Sequence, residues 1–294
     1  MNITIRQIET FYYTAKLGSL SLAADKLCIT QAAASMALKE FEHQLGEQLF
    51  ERVGKKLILN DKGSAILETT AEILSKSCEL ATFFSEKPCL CGNVILGTIP
   101  SIANYVMPEY ITSFIEKNRM GNINIHIGNS QDIIDRVLRF EDDAGIIDKC
   151  CCQPTLRALP WLKDELAICV SPNHPLASKE EVTKDDLQNC RWIMREYGAG
   201  SRRVLEAQIK AHDIKLDVLC EMEHNEAIMT AVAGGDAVSC LSKNVLSDMI
   251  RLNRIKTLNT PFMNMHRQFY FIIHQDKYRP RLLREFMKHM GLEN

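Results

Sequence analysis

Apolar residues in the first 63 positions recur at helical spacing and predict a small bundle of helices. One apolar face is predicted within residues 5–17, formed by Ile5, Ile8, Phe11, Tyr12 and Ala15. A second buried stripe is predicted within residues 31–45, formed by Ala34, Leu38, Phe41 and Leu45. Between them, Ala23, Ala24 and Leu27 give a short helix its own small apolar face. The pattern therefore predicts three helices around one core.

Residues 18–42 have the pattern of two helices joined by a tight turn at Cys28 and Ile29. Ser21 is the predicted N-cap of the first helix and Thr30 that of the second, and both are also predicted DNA contacts. Opposite its apolar stripe, the second helix has a slim polar face that suits a DNA major groove. That face carries Gln31, Ala32, Ser35, Met36 and Lys39. The alternative is an ordinary helical hairpin in a core, but small alanines at the helix crossing favour a helix-turn-helix.

Residues 46–63 predict a β-hairpin that follows these helices. Leu49 and Phe50 are predicted to close the core, and residues 53–56 to form a glycine-containing turn. Arg52, Lys55 and Lys56 lie on this hairpin, where cations meet DNA phosphates. Residues 1–64 hold eight lysines and arginines against seven acidic residues, a net charge of about +1. One such domain is expected to bind DNA weakly, so two copies on one duplex are predicted.

Residues 64–87 predict a long amphipathic helix without internal glycine or proline. Its apolar stripe is formed by Ile66, Thr70, Ile73, Ser77, Leu80 and Phe84, broadened by Leu67, Leu74 and Ala81. A helix with one apolar seam beside a DNA-binding module favours dimerisation, the alternative being a helix docked on its own chain. Pro88, Cys89 and Gly92 then predict a hinge.

Beyond residue 92, apolar runs of strand length alternate with helical patterns, which predicts α/β layers with largely parallel sheets. The predicted strands are 93–99, 123–128, 143–148, 165–170, 191–194, 237–241 and 268–273. The predicted helices are 107–116, 132–140, 201–211 and 226–233. Near residues 161–165 and 261–266 the pattern predicts crossings between two lobes.

Residues 1–64 resemble the DNA-binding domain of the LysR-type transcriptional regulators. The matching residues are Phe11 and Ala15, Gly18-Ser19, Ala23-Ala24, Leu27, Gln31 through Ser35, Phe41-Glu42, Leu45-Gly46 and Leu49 through Arg52. The chain departs from the family at Met36 and Ala37, where members often carry arginine or glutamine. Residues 64–87 resemble the linker helix of the same family.

The remainder resembles the effector-binding domain of that family, a pair of Rossmann-like lobes similar to those of periplasmic binding proteins. The matching segments are 107–108, 143–148, 173–177, 186–187, 198–202 and 231–237. The resemblance implies an α+β multidomain protein with a winged helix-turn-helix at 1–64, a linker helix and hinge at 65–91, and an effector-binding domain at 92–294. Lobe I is placed at 92–162 and 267–294, and lobe II at 163–266. The resemblance also implies a homodimer that pairs further into a homotetramer and binds dyad-symmetric sites on double-stranded DNA. It implies a transcriptional activator that acts with RNA polymerase.

Three segments are predicted to meet at the carboxyl ends of the strands, where two-lobed α/β domains bind ligands: 98–104, 128–132 and 196–202. Converging helix N-termini favour a small anionic effector. The predicted site residues are Pro100, Ser101, Ile102, Ala103, Asn129, Ser130, Gln131, Asp148, Trp161, Glu196, Gly198, Ala199, Gly200, Ser201 and Arg202. The alternative is that Ser101, Ser130 and Ser201 only cap their own helices, but three serines at one cleft favour a ligand site.

Segments 101–105, 128–132, 160–162 and 239–242 resemble the YeiE-like branch of the family. That branch, and the similar CysL-type regulators, respond to sulfite and control sulfur metabolism, so the resemblance implies sulfite. The residues alone support only a small anion. Asp148 matches an acidic position in those relatives, and a carboxylate repels an anion unless one of the two carries a proton. This predicts a preference for sulfite over sulfate, the alternative being a solvated loop acid.

Composition favours a cytoplasmic, soluble protein. The chain has 294 residues, 24% charged residues and a net charge of −2, without a long apolar run or a signal-peptide pattern. Its eleven cysteines are predicted to be thiols. The alternative is a redox or metal response through Cys89, Cys91 or residues 150–152. The spacing of these cysteines argues against a zinc site, because it lacks the paired pattern of such sites. No nucleotide or hydrolase motif occurs, so the sequence predicts neither an enzyme nor a cofactor nor a metal.

Overall fold

A computed structural model of the chain describes residues 2–53, 56–81, 90, 92–118 and 121–292. The chain forms two compact units. The first comprises Met1–Asn93, Asn118–Asn122 and Lys277–Phe286, and the second comprises Val94–Lys117, Ile123–Asp276 and Met287–Asn294.

The first unit begins with three helices, a hairpin and a longer helix. These are α1 (Ile5–Leu17), α2 (Leu20–Lys26), α3 (Gln31–Leu45), β1 (Phe50–Val53), β2 (Lys56–Leu59) and α4 (Asp61–Ala81). Their core contains the buried side chains of Ile8, Phe11, Leu38, Phe41 and Leu49. The rings of Phe11 and Phe41 lie 5.4 Å apart between centroids, so α1 packs directly on α3. The predicted three-helix core is confirmed.

One predicted member of the α1 face is wrong. Ile5 is exposed, whereas the threonines Thr10 and Thr14 are fully buried. The Thr10 hydroxyl donates to the Arg6 carbonyl at 2.8 Å, so its polar group is satisfied inside the helix and needs no water. A polarity pattern cannot show such a threonine as a core residue.

Of the two N-caps predicted for the two-helix motif, the structure has one. Thr30 caps α3, because its side chain accepts a hydrogen bond from the Ala33 N–H at 3.2 Å. The predicted N-cap at Ser21 is wrong, since Ser19 caps α2 and Ser21 lies inside the first helical turn. Two serines compete for this role within three residues, and Ser19 wins because Gly18, with φ of 61°, ends α1 immediately before it.

The predicted hairpin is present as an antiparallel pair in which Phe50 pairs with Leu59 and Val53 pairs with Lys56. Its turn at 54–55 lies outside the described residues. Helix α4 begins at Asp61 rather than at 64, because the Asn60 side chain accepts from the Gly63 N–H at 2.9 Å.

The predicted stripe of α4 divides between two environments. Ile66, Leu67 and Leu74 pack against the core of the first unit. Ile73 and Leu80 are exposed. Part of the helix is therefore docked on its own unit, and dimerisation through the exposed part stays a prediction. Residues 82–89 and 91, which include Phe84, Pro88 and Cys89, lie outside the described residues.

The second unit is built from alternating strands and helices. Its first half contains β3 (Gly92–Thr98), α5 (Pro100–Tyr105), α6 (Met107–Lys117), β4 (Gly121–Ile127), α7 (Ser130–Leu138), β5 (Ala144–Ile147) and β6 (Leu156–Val170). A 3-10 helix (Pro175–Ser178) leads to α8 (Lys184–Gln188), β7 (Arg191–Arg195), α9 (Gly200–Ala211), β8 (Asp217–Met222), α10 (Asn225–Gly234) and β9 (Ser239–Ser242). The last elements are α11 (Lys243–Arg251), β10 (Lys256–Thr257) and β11 (His266–His274). The final helix, α12 (Arg281–His289), belongs to the first unit as far as Phe286.

The sheets are mixed, which corrects the prediction of largely parallel sheets. Strands β3 and β5 pair in parallel, as do β7 and β8. Strand β11 pairs antiparallel with both β5 and β6. The correction has a simple cause: the chain leaves the first lobe through β6 and returns through β11 in the opposite direction.

Strand β6 belongs to both lobes. Its first part pairs with β11, from Leu156 to Glu165, and its last part pairs with β9 and β10, from Leu166 to Val170. The predicted crossing near 161–165 falls inside this strand. The one near 261–266 reaches the start of β11.

Candidate DNA-contact face and interlobe cleft

The polar face of α3 is exposed. Gln31, Ala32, Met36 and Lys39 are exposed and Ser35 is half-buried, while Ala34, Leu38 and Phe41 on the opposite side are buried. The alternation arises because residues three and four apart share one side of a helix. An α-helix of 15 residues is about 20 Å long and narrow enough for a major groove, provided that its outer side chains are small.

The remaining predicted DNA contacts surround this helix in sequence. Ser21 is exposed on the first turn of α2, and Thr30 is exposed at the start of α3. Arg52 and Lys56 belong to the strands β1 and β2. Lys55 lies outside the described residues.

A cavity of about 60 Å³ lies between the two lobes of the second unit. The strand ends and helix starts of both lobes line it, as the carboxyl-end rule predicts. The predicted residues that line it are Pro100, Ser101, Asn129, Ser130, Asp148, Glu196, Gly198, Ala199, Gly200 and Ser201. Ile99, from the predicted segment 98–104, also lines it. The lining residues that the sequence prediction missed are Arg195, Asn225, Leu241, Ser242, Val245 and Arg267.

Five predicted residues lie outside this lining: Ile102, Ala103, Gln131, Trp161 and Arg202. Ile102 is fully buried in the core, and the Trp161 indole donates to the Met290 carbonyl at 3.0 Å. Successive side chains of a helix point in different directions, so a run of neighbouring residues cannot all face one cavity.

The side chains of Gln131 and Arg202 have partners elsewhere. Gln131 donates to Asp135 at 2.9 Å and accepts from Lys149. The Arg202 guanidinium donates to Glu206 at 2.6 Å and stacks 3.6 Å from the centroid of the Tyr197 ring. Both side chains are therefore bonded to residues beside the cleft and do not face the cavity.

Asp148 is a buried, fully bonded carboxylate. It follows β5, its side chain is 2% exposed, and it accepts from Ser130 Oγ at 2.8 Å and from Arg267 Nη1 at 2.7 Å. Arg203 from α9 also donates to the Asp148 carbonyl at 2.6 Å. The interpretation of Asp148 as a solvated loop acid is wrong.

Arg267 joins two buried acids. Its Nε donates to Asp164 Oδ2 at 2.7 Å while Nη1 holds Asp148, and Nη2 lies 3.3 Å from Ser101 Oγ. Asp164 also accepts from Ser242 Oγ at 2.7 Å. The available sequence signal was a charged residue at the head of the apolar run 268–273. Its partners, however, are remote in sequence.

The three serines predicted for the cleft, Ser101, Ser130 and Ser201, do not cap their helices. Ser242, which also lines the cavity, does cap α11, since its hydroxyl oxygen accepts from the Asn244 N–H at 3.2 Å. Ser130 donates to Asp148, and Ser101 accepts from Arg267. Helix α7 is capped instead by Asn129, whose side-chain oxygen accepts from the N–H groups of Gln131 and Asp132 at 2.9 and 3.0 Å. The predicted free N-terminus of α7 is therefore occupied by its own chain. Helix α9 begins after Ala199 without a side-chain cap.

Arg195 is the second arginine that lines the cleft. It ends β7, and its Nε and Nη2 donate to the two carboxylate oxygens of Glu196 at 2.7 and 2.8 Å. Its Nη1 donates to Asn225 Oδ1 at 2.5 Å. The arginine is buried, so this fork of bonds is well fixed.

The charges around the cleft balance. Arg195, Arg203 and Arg267 carry three positive charges. Asp148, Asp164 and Glu196 carry three negative charges in direct contact with them. An anion that enters therefore meets cations that already have partners. To bind, the anion therefore either replaces a carboxylate as the partner of an arginine, or carries a proton that lowers its charge.

The two lobes are also joined at the side of the cleft. The Tyr105 hydroxyl of α5 donates to Glu226 of α10 at 2.7 Å. Burial, together with this carboxylate, raises the pKa of the Tyr105 phenol, and the same hydrogen bond lowers the pKa of Glu226. At neutral pH the phenol is therefore protonated and the carboxylate ionised, so the bond joins a donor with a charged acceptor.

Within the described residues, no cluster of histidine, cysteine or acidic side chains is arranged to hold a metal ion. Cys169 and Cys240 are buried thiols, and burial raises the pKa of Cys169 to about 12. Residues 150–152 are free thiols, and Cys89 and Cys91 lie outside the described residues. Among the described helices, none has both the length and the apolar content needed to cross a membrane.

Comparison with known families decides the identity. Residues 5–64 match the bacterial regulatory helix-turn-helix proteins of the lysR family, and residues 90–292 match the LysR substrate binding domain. The chain belongs to the LysR family. It is a DNA-binding transcriptional regulator with an effector-binding domain, and not an enzyme.

Individual relatives support this assignment over the whole length. The LysR-family chain is 34% identical over 294 residues to YeiE of Escherichia coli (strain K12), an uncharacterized HTH-type transcriptional regulator, covering 100% of this chain and 99% of the relative. The fold is similar to that of a full-length OxyR variant from Pseudomonas aeruginosa, with a TM-score of 0.72 and 18% identity over 99% and 96% of the two chains. The regulatory domain of CcmR from Synechocystis PCC6803, solved in complex with 2-PG, gives a TM-score of 0.63 and 26% identity, over 68% of this chain and 95% of that domain.

Proposed function

We propose that this LysR-family regulator binds dyad-symmetric DNA as a homodimer and responds to a small oxyanion, with sulfite as the candidate effector. The observation that carries the effector proposal is the small cavity between the lobes, with its serine and arginine side chains. Its walls offer four serine hydroxyls, two arginines and the uncapped start of α9, which are the groups that bind oxyanions in proteins.

The size of the cavity limits the effector class. Its volume is about 60 Å³. A site for one water needs about 10–15 Å³, and drug-sized ligands occupy roughly 300–1,000 Å³. The cavity therefore suits a group of a few heavy atoms, which supports an inorganic oxyanion over a larger organic acid.

The charge balance favours a singly charged form. Each further unpaired charge in a buried site carries a desolvation cost. Sulfite takes up one proton near neutral pH, whereas sulfate stays a dianion. The same geometry supports the role proposed for Asp148, which holds Arg267 and so limits the positive charge that a dianion would need.

Thermal unfolding of the full-length protein with added sodium sulfite, sodium sulfate and sodium thiosulfate tests this proposal. We expect sulfite to raise the melting temperature most, because a ligand that binds only the folded state stabilises it. Equal shifts with sulfite and sulfate would contradict the discrimination. The absence of any shift with all three salts would contradict an oxyanion effector.

The DNA-binding part of the proposal relies on α3 and α4. The exposed face of α3 enters the major groove, and the cations of β1 and β2 contact phosphates. The exposed Ile73 and Leu80 of α4 pair with a second copy. Further pairing through the effector domains gives the tetramer, and effector binding changes the DNA complex so that RNA polymerase is activated.

Replacing Gln31 by alanine tests the placement of α3. Gln31 is exposed at the start of the helix, where an amide reads a base edge, so its loss is expected to weaken specific binding by about tenfold and to relax the base preference. Sequencing the DNA fragments that each purified protein retains measures both effects. Gln44→Ala is the matched control at the other end of α3, and equal behaviour of the two variants would argue against this face.

A further inference from the structure

The two arginines that line the cleft are held in different ways. Arg267 is 4% exposed and is bonded to Asp148 and Asp164, which are 2% and 0% exposed. Removing either acid from it would leave a buried charge without a partner. Arg267 is therefore committed to holding the structure together and has little freedom to change partner.

Arg195 has a replaceable partner. The carboxylate that fills its fork belongs to Glu196, the next residue, and that side chain is 33% exposed. Glu196 begins an exposed turn in which Tyr197 is largely in solvent and Gly198 has φ of 91°. A carboxylate at this position can move into water at small cost, because an ion pair with a partly exposed acid contributes little to stability.

From this contrast, we infer that Glu196 is an internal competitor for the effector. The inference rests on the proposed oxyanion response and names its regulation. The entering anion takes the Nε–Nη2 fork of Arg195, and the Glu196 carboxylate swings out into solvent. Glu196 thus sets the concentration at which the regulator responds.

Such an exchange explains how an anion enters a cleft whose charges already balance. One carboxylate leaves as one anion arrives, so the charge around Arg195 stays the same. The fork presents two parallel N–H groups, which match a ligand with two oxygens on one central atom. The recognised class is therefore a compact oxyanion with a carboxylate-like pair of oxygens.

The exchange is also connected to α9. The Glu196 carbonyl accepts from the N–H of Ala199, the N-cap residue of α9, at 3.3 Å. Arg202 of α9 donates to the Arg195 carbonyl at 2.8 Å. The backbone that carries Arg195 and Glu196 is therefore bonded to the helix whose Arg203 holds the Asp148 carbonyl of the other lobe.

Calorimetric titration of the full-length protein with sodium sulfite tests the inference. We expect Glu196→Gln to bind sulfite about tenfold more tightly than the natural protein, because the competing charge is gone. Asp236→Asn is the matched control, since the Asp236 carboxylate pairs with Arg191 of the same strand, through Nη2 alone, and lies outside the cavity lining. We expect this control to bind sulfite like the natural protein.

A second variant separates competition from an indirect effect. Arg195→Lys keeps the charge but loses the fork, so it is expected to weaken sulfite binding about tenfold. Adding Glu196→Gln to this variant is expected to leave the sulfite affinity at the same weakened level. A natural protein that binds sulfite while Glu196→Gln binds no more tightly would overturn the competitor role alone. If neither the natural protein nor Glu196→Gln binds sulfite, sulfate or thiosulfate, the oxyanion response itself is overturned.

Discussion

Replacement of Arg267 by glutamine is expected to lower the free energy of unfolding by about 3–5 kcal/mol. The side chain holds Asp148 and Asp164, whose carboxylates are 2% and 0% exposed, with bonds of 2.7 Å to each. Without the guanidinium, two negative charges remain buried near one another. Urea unfolding followed by circular dichroism at neutral pH measures the loss.

The control for this experiment is Arg203→Gln. Arg203 lies 3.4 Å from the same Asp148 carboxylate but is 47% exposed, so its removal is expected to cost less than about 1 kcal/mol. If the two variants unfold alike, Arg267 has no special role in the cleft. Adding Asp148→Asn and Asp164→Asn to Arg267→Gln should recover part of the loss, since no charge is then left buried.

The second large effect is expected at Gly200, the first residue of α9. A methyl group there would lie 1.4 Å from Asp148 Oδ2 and 2.2 Å from its Cγ, so Gly200→Ala must displace the carboxylate or move the helix. We expect a loss of about 1–3 kcal/mol in the free energy of unfolding, as for an overpacked core. Sulfite binding should fall as well, because the displaced carboxylate enters the cavity.

Gly234→Ala supplies the matched control. Gly234 ends α10, and a methyl group there meets open space. Alanine has the higher helix propensity, so this variant is expected to be as stable as the natural protein or slightly more stable. A Gly200→Ala variant that unfolds like Gly234→Ala would show that Asp148 does not hold its position against α9.

Local patterns carried most of the correct predictions. The three N-terminal helices, the hairpin and the exposed polar face of α3 follow from spacing within about 15 residues, which one sequence displays directly. The error at Ser21 is also local, because two serines two positions apart both suit an N-cap. The burial of Thr10 escaped the pattern because its own helix satisfies the hydroxyl.

Long-range pairing could not be predicted in the same way. Asp148 and Arg267 are 119 residues apart, and Asp164 and Arg267 are 103 residues apart. Their contact depends on the antiparallel return of β11, which no local periodicity encodes. The cleft segments were located correctly from strand ends, but which side chain of each helical turn faces the cavity depends on how the helix is rotated. For this reason the sequence prediction includes Ile102 and Arg202, whose side chains do not line the cavity. Arg195 is missed for a different reason, since it ends strand β7 one residue before the predicted segment 196–202.

The strand β6 has a consequence for the exchange of specificity between regulators. The chain enters the second lobe at Leu166 and leaves it at Met265. These two residues are neighbours, because the Leu166 N–H donates to the Met265 carbonyl at 2.8 Å. The segment between them carries Arg195, Glu196 and the start of α9 as one uninterrupted stretch of chain. Grafting that stretch from a homologue would swap half of the ligand chemistry with only two splice points, leaving Asp148 and Arg267 in the host to receive it.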